Sequence, residues 1–175
     1  AVTLDQDVKE SWGNVQTSYQ RRNDLIGNLV KTVKGAADFE KSTLEAVITA
    51  RSKATAVTID PTNITPEQLA QFNQAQSGVS SALSRLLVTV EQYPDLKANQ
   101  NFLKLQDELA STENQILTAR TRFNEAVKLY NRHVTIFPNN IFAGWLGFKE
   151  KPFFEAVVGA EKPVDVEFDF NNEKK

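Results

Sequence analysis

The sequence predicts an all-α protein: an antiparallel up-down-up-down bundle of four long helices, with an aromatic C-terminal cap and a short extended tail. Three observations carry this. Apolar residues recur at alternating spacings of three and four through four separate stretches, the period of a helix that buries one stripe. The longest of these, Asn101 to Phe137, contains neither proline nor glycine. Between the stretches lie helix stops and starts, among them Gly35, Pro66 and Pro94.

The fourth stretch organises the others. Its seam is Phe102, Leu105, Leu109, Thr112, Ile116, Ala119, Phe123, Ala126, Tyr130, Val134 and Phe137. At the α-helical rise it is roughly 55 Å long. A helix of that length cannot bury its stripe alone, so the rest of the chain must supply partners.

The first helix spans Leu4 to Gly35, with Val8, Trp12, Val15, Tyr19, Arg22, Ile26, Leu29, Val33 and Ala36 on its seam. Gly27 lies inside it, costs roughly 1 kcal/mol against alanine there, and marks a bend. Gly35 stands where a helix C-cap belongs. The second helix is shorter, from the N-cap Asp38 to about Ala56, with Phe39, Thr43, Val47, Ala50 and Ala54 facing inward. Residues 55–64 are β-branched, contain Pro61 and read as a linker that makes up for the short second helix. Thr65, Pro66 and Gln68 form a capping box with proline at the first position. The third helix then runs to about Gln92 on Leu69, Phe72, Gln76, Val79, Leu83, Leu86, Val90 and Tyr93. Pro94 ends it, and Asn99 caps the fourth.

After Pro138 the helical pattern gives way to a glycine-punctuated segment carrying Phe142, Trp145, Phe148, Phe153 and Phe154. Beyond Gly159, Val164, Val166, Phe168 and Phe170 alternate with acids, the pattern of an extended arm. The expected division is therefore a bundle domain over 1–159 and a tail over 160–175.

Composition narrows the function classes. With 41% hydrophobic and 24% charged residues, the chain has the make-up of a globular domain with one sizeable core. A net charge of −2 argues against a dedicated nucleic-acid binder. The absence of cysteine excludes disulfides and thiolate metal sites, and one histidine, His133, excludes multi-histidine sites. No nucleophile and acid accompany His133 in a catalytic pattern. Asp107, Glu108 and Glu113 lack the Glu-x-x-His spacing of di-metal bundles. No catalytic residue, metal or cofactor is predicted.

Several segments carry a resemblance. They are YQRRNDLI at Tyr19 to Ile26, NLVKTVKG at Asn28 to Gly35, YPDLKA at Tyr93 to Ala98 and NFLKLQ at Asn101 to Gln106. TEN at Thr112 to Asn114, AGWLGF at Ala143 to Phe148 and FEA at Phe154 to Ala156 complete the set. In order and spacing, over about Leu4 to Ala156, they resemble the LemA proteins. The resemblance implies a bacterial antiparallel helical bundle with one transmembrane helix just before the first long helix. The chain then looks like the part left once that anchor is removed, from a protein held in the bacterial cell membrane. The chain departs from the family pattern at Gly27, where proline is usual, and at Phe39, where histidine is usual. The resemblance implies no established reaction. A non-enzymatic, membrane-tethered scaffold or protein-interaction module follows, with an unidentified protein partner and possible homo-oligomers. The alternative is a small-ligand or lipid-binding module.

Two groups of residues are candidates for more than packing. Arg22 falls on a seam where leucine is expected. Counting from the loops puts it level with Gln76, Thr112 and Glu113. A buried arginine needs a partner, and Glu113 supplies the charge. Such a layer either fixes helix register or lines a pocket between helices. The second group is Phe142, Trp145, Phe148, Phe153 and Phe154, which either cap the open end of the bundle or meet lipid or a partner.

Overall fold

The structure, a computed structural model, describes residues 2–154. Every regular element among them is a helix: α1 Val2–Lys34, α2 Lys41–Ala56, α3 Pro66–Val90, α4 Pro94–Lys97, α5 Gln100–Thr135 and α6 Asn139–Trp145. The arm expected from Val164 to Phe170, and the end of the domain expected at 159, lie outside the described residues.

α1 and α5 share the longest interface, and α2 lies chiefly against α3. Side-chain pairs fix the register of α1 on α5. Asn101 meets Thr32, Glu113 meets Arg22, and Phe123 meets Trp12. Numbers rise along one helix as they fall along the other, so the two are antiparallel. α3 runs beside α1 in the same sense, since Phe72 touches Trp12 and Tyr19 while Ser80 touches Arg22.

The seams read from the sequence are the buried faces, with small shifts, except at Phe137, which lies past the end of α5 and is exposed. Val127, at 0% exposure, takes the place given to Ala126, and Leu44 that given to Thr43. The buried face of α1 is also wider than one seam, because Leu25 and Val30 pack beside Ile26 and Leu29. The capping box at Thr65 and Gln68 forms, and Asn99 Oδ1 accepts from the Phe102 amide at 3.1 Å.

The turn between α1 and α2 departs from expectation. Glu40, not Asp38, precedes α2, and its side chain makes no capping bond. Asp38 is the residue with positive φ, at 64°. It takes the left-handed position expected of Gly35, a conformation a short polar side chain tolerates. Tyr93 Oη donates to the Asp38 carbonyl at 2.9 Å, which ties this turn to the one after α3. Gly27 does not break α1, which is continuous to Lys34. A Cβ there would lie 3.0 Å from Arg51 Nη2, so the glycine makes room for a guanidinium arriving from α2. Arg51 Nε donates to the Asn23 carbonyl at 2.8 Å and holds that approach.

The apolar interior is divided in two. One cluster joins the C-terminal half of α1 and the N-terminal part of α5 to α2, α4 and the C-terminal half of α3. The other joins the N-terminal halves of α1 and α3 to the C-terminal half of α5, with Ala143 and Phe154. Ile59 and Ile64 of the linker are buried in this second cluster, which is how the segment after α2 completes the bundle. Arg22, Gln76 and Thr112 sit where the two clusters part, so the polar layer lies at mid-height.

Past α5 the chain turns through α6 and doubles back. Gly147, at φ +80°, terminates α6. The Phe148 amide donates to the Ala143 carbonyl at 2.8 Å and the Gly147 amide to Gly144 at 3.3 Å, the two bonds of a Schellman motif. The returning segment is held by two asparagines of α5. Asn131 Oδ1 accepts from the Lys151 amide at 2.7 Å, and its Nδ2 donates to the Lys151 carbonyl at 2.9 Å. Asn124 does the same for Phe154, at 2.8 and 3.2 Å. The spacing is geometric. Seven helical residues rise about 10.5 Å, and three extended residues span about 10 Å. Asn131→Ala should remove two such bonds at a cost of about 1–3 kcal/mol. Amide exchange at Lys151 should quicken while the α1–α5 amides keep their protection.

Candidate functional site

Arg22 is 2% exposed, and its guanidinium reaches from α1 to α3 and α5. Nη2 donates to Gln76 Oε1 at 2.6 Å and to the Gln76 carbonyl at 3.2 Å. Nη1 donates to Ser80 Oγ at 3.1 Å and to Glu113 Oε1 at 3.2 Å. Its Cζ stands 5.0 Å from the centre of the Tyr19 ring. Burial pushes the Tyr19 hydroxyl above its ordinary pKa, against the opposing influence of the Arg120 and Arg22 charges. The two terminal nitrogens of Arg22 are thus met by hydrogen bonds and one carboxylate, while its Nε is buried without a partner.

Arg22, Gln76 and Glu113 are brought together. Thr112 lies at the same height and is 0% exposed, but its hydroxyl donates to the Glu108 carbonyl at 2.8 Å within its own helix. It belongs to the layer by burial and not by bonding. Ser80 is the member sequence reasoning missed. Its signal was available, since it stands one turn beyond Gln76 on the same face of α3.

A cleft of about 310 Å³ opens beside the layer between α1, α2 and α3. Tyr19, Asn23, Arg51, Phe72 and Gln76 are among its walls. Gln76 is among them and Arg22 is not; of the two alternatives for the layer, a pocket between helices would have Arg22 on its wall, and its guanidinium faces the bonded interior instead.

The aromatic segment divides. Phe154 is 4% exposed and packs on Trp12, Phe123 and Phe72, with centroids at 5.8, 5.3 and 6.5 Å. Arg120 lies over its outer face at 4.7 Å. Phe148 rests on Tyr130 at 6.5 Å. Phe142, Trp145 and Phe153 do not close the bundle: they are 59%, 84% and 46% exposed. The expectation of a cap built from all five rings is therefore corrected to Phe148 and Phe154. The reason lies in α6, a seven-residue helix that buries only Ala143 and so leaves its other faces outward. Phe137, expected as the last residue of the α5 seam, is instead exposed, because α5 ends at Thr135; Ile136, Ile141 and Leu146 are exposed with it beside Phe142 and Trp145 in the chain.

This end is fastened to the start of α1. Asp5 accepts from Lys9 at 3.0 Å and from Lys151 at 2.9 Å. Lys151 Nζ also lies 4.8 Å from the Tyr130 ring centre. Burial alone would raise the Asp5 pKa, but bonds to Lys151 and Lys9 and their charges outweigh it and hold the carboxyl below its ordinary value. A depressed folded pKa means the unfolded chain takes up the proton first. The contribution of Asp5 is therefore complete above about pH 4 and is lost as pH falls below that. Asp5→Asn should flatten the acid limb of a stability–pH curve read by denaturant unfolding, and the wild-type chain should show the steeper decline.

His133 is half-buried in the last turn of α5. Among the described residues no group of three or more histidines and carboxylates is placed to hold a metal ion. None of their helices is long and apolar enough to cross a membrane.

The comparisons now bear on this architecture. A family model described as "LemA family" matches residues 11–168. Magnetosome protein MamQ 2 of Paramagnetospirillum magneticum is 28% identical, over 93% of this chain and 66% of its own length. Magnetosome protein MamQ of Magnetospirillum gryphiswaldense is 27% identical over the same shares. Protein LemA of Metamycoplasma hominis is 25% identical, over 86% of this chain and 65% of its own. The chain thus spans 65–66% of the length of these relatives.

Proposed function

The chain belongs to the LemA family, and from that premise we propose that it is a non-enzymatic scaffold, a rod of helices tethered to a bacterial cell membrane. α1, α2, α3 and α5 run up-down-up-down, and α5 alone gives the rod a height of about 54 Å. The rod binds a protein partner along a helix face. The observation that carries this reading is the engagement of Arg22. Both of its terminal nitrogens are bonded within the protein, between two filled apolar clusters. The interior is built to hold helices in register, which leaves the outer surface for recognition.

A second reading, a small-ligand module, is favoured by the cleft lined by Tyr19, Asn23, Arg51 and Gln76. A ligand there would stack on Tyr19 or Phe72 and bond to Arg51. The names of the relatives state no reaction, and two of them place their proteins with the magnetosome.

Photo-crosslinking in intact cells, from single positions on the exposed faces of α3 and α5, tests the scaffold. A reproducible protein neighbour, or a second copy of the chain, captured from one helix face supports it. Loss of every such adduct, with a metabolite retained by wild-type protein but not by Arg51→Ala, would replace it with the small-ligand reading.

A further inference from the structure

The end of the molecule formed by α6 combines features that a packed core does not explain. From Ile136 to Phe148 the chain carries no charged residue. Within it Phe137 is 74% exposed, Ile141 61%, Phe142 59%, Trp145 84% and Leu146 66%. Large apolar side chains exposed together are uncommon on soluble surfaces and mark interaction sites. These stand on a short helix and the turn before it, and project from the end of the rod instead of lining a groove.

We propose that this end is a lipid-docking surface, with Phe137, Phe142, Trp145 and Leu146 entering the interfacial zone of a bilayer. Three observations favour lipid over a folded partner. Side chains exposed to this degree have little support from neighbours, so they present no fixed shape for a protein to match. A fluid interface needs none. Trp145 offers a ring and a single N–H, the combination that settles at the headgroup boundary. The charges flanking the uncharged stretch carry a small basic excess: over residues 125–155, Lys128, Arg132, Lys149 and Lys151 stand against Glu125, Glu150 and Glu155, in a chain whose net charge is −2. Lys151 is already paired with Asp5, so Lys128, Arg132 and Lys149 are left to meet headgroups. The acids at this end are Glu150, Asp5, tied to Lys9 and Lys151, Asp7 and Glu10 on the first turns of α1, and Asp60 of the linker, which feels the charge of Lys9. Apolar insertion therefore leads, and anionic headgroups add to it. Anchorage takes more than one signal when each is weak, and this surface supplies one that acts without any transmembrane segment.

The test uses the whole 175-residue chain and vesicles of phosphatidylcholine, alone or with a third phosphatidylglycerol. Flotation should carry the protein with both, about fivefold more with the anionic lipid at low salt. The chain has two tryptophans. Trp12 is fully buried, so bromine-labelled lipid should quench Trp145 alone. Trp145→Ala with Phe142→Ser should lower vesicle binding at least tenfold. The thermal midpoint should stay unchanged, because both side chains are already in water. Lack of vesicle binding by the native chain overturns the proposal, as does binding that the double variant retains. Concentration-dependent dimers that the same double variant abolishes, without vesicle binding, would give the surface to a second copy and also overturn it. The scaffold reading stands apart: a rod whose end ignores lipid can still bind a partner along its length.

Discussion

Trp12→Ala should cost the fold about 3–5 kcal/mol, an effect measured as a fall in the midpoint of denaturant unfolding at unchanged slope. The indole is 0% exposed and meets rings from three other parts of the chain at once. Phe72 of α3 stands 5.2 Å from it and Phe123 of α5 5.4 Å, both edge to face, and Phe154 of the returning segment stacks at 5.8 Å. Its removal opens a cavity bounded by three rings and long helices, which cannot collapse into it because their register is fixed elsewhere. Phe154→Ala should be milder. Its ring is reached from outside by Arg120, and the segment that carries it can shift. If Trp12→Ala instead unfolds with a loss under about 1 kcal/mol, the cluster around Trp12, Phe72 and Phe123 is looser than the geometry states.

The second large effect concerns Gln76. Gln76→Leu should destabilise by about 2 kcal/mol, because it takes from a buried guanidinium its shortest bond, 2.6 Å to Oε1. Arg22→Met combined with Gln76→Leu should recover that loss and reach or exceed wild-type stability, since replacing a buried charged group and its polar partner with apolar residues is often neutral or stabilising. The signature is non-additivity. Two substitutions that touch the same bond should couple by about 1–3 kcal/mol in a double-mutant cycle. Glu113 makes a weaker test, because its side chain is 46% exposed and water screens the pair. A layer that persists when apolar residues would hold as well is conserving arrangement over strength. On the scaffold reading proposed above, its role is to hold the two apolar clusters in register.

Much of this was legible in the residues, and the places where it was not share a cause. Helix existence, the capping box at Thr65 and the seam through α5 follow from local periodicity and backbone chemistry, which a sequence states outright. The level of Arg22 with Gln76 and Glu113 was legible too, because long straight helices turn residue counts into heights. Ser80 was missed because serine on a helix is usually solvated, and only a guanidinium arriving from α1 gives it a role. Asn124 and Asn131 were missed for a related reason: their spacing of seven has meaning only once an extended segment lies beside it. Asp38 displaced Gly35 as the left-handed residue because the turn is pinned by Tyr93, a contact between distant parts of the chain. The outward aromatics of α6, Phe142 and Trp145, failed as a cap because a seven-residue helix that buries its alanine face turns these two rings away from it. For the long helices local pattern predicted the element and long-range contact decided the side chain; α6 was not predicted as a helix, because Pro138, Gly144 and Gly147 interrupt the period.

The claim beneath all of this is that α1 folds back on α5 of the same chain, antiparallel and in one register. The protein contains no cysteine, so introduced ones report cleanly. Thr32 and Asn101 are joined by a 3.0 Å hydrogen bond near the end of the rod away from α6. With both changed to cysteine, a maleimide cross-linker of short reach should close within a single chain and leave the mass of a monomer. Thr32→Cys with Arg122→Cys should not close, because twenty-one helical residues separate position 122 from 101, about 32 Å. Cross-links that appear only between chains, or that favour the second pair, would contradict the fold on which the register, the arginine layer and the exposed end all depend.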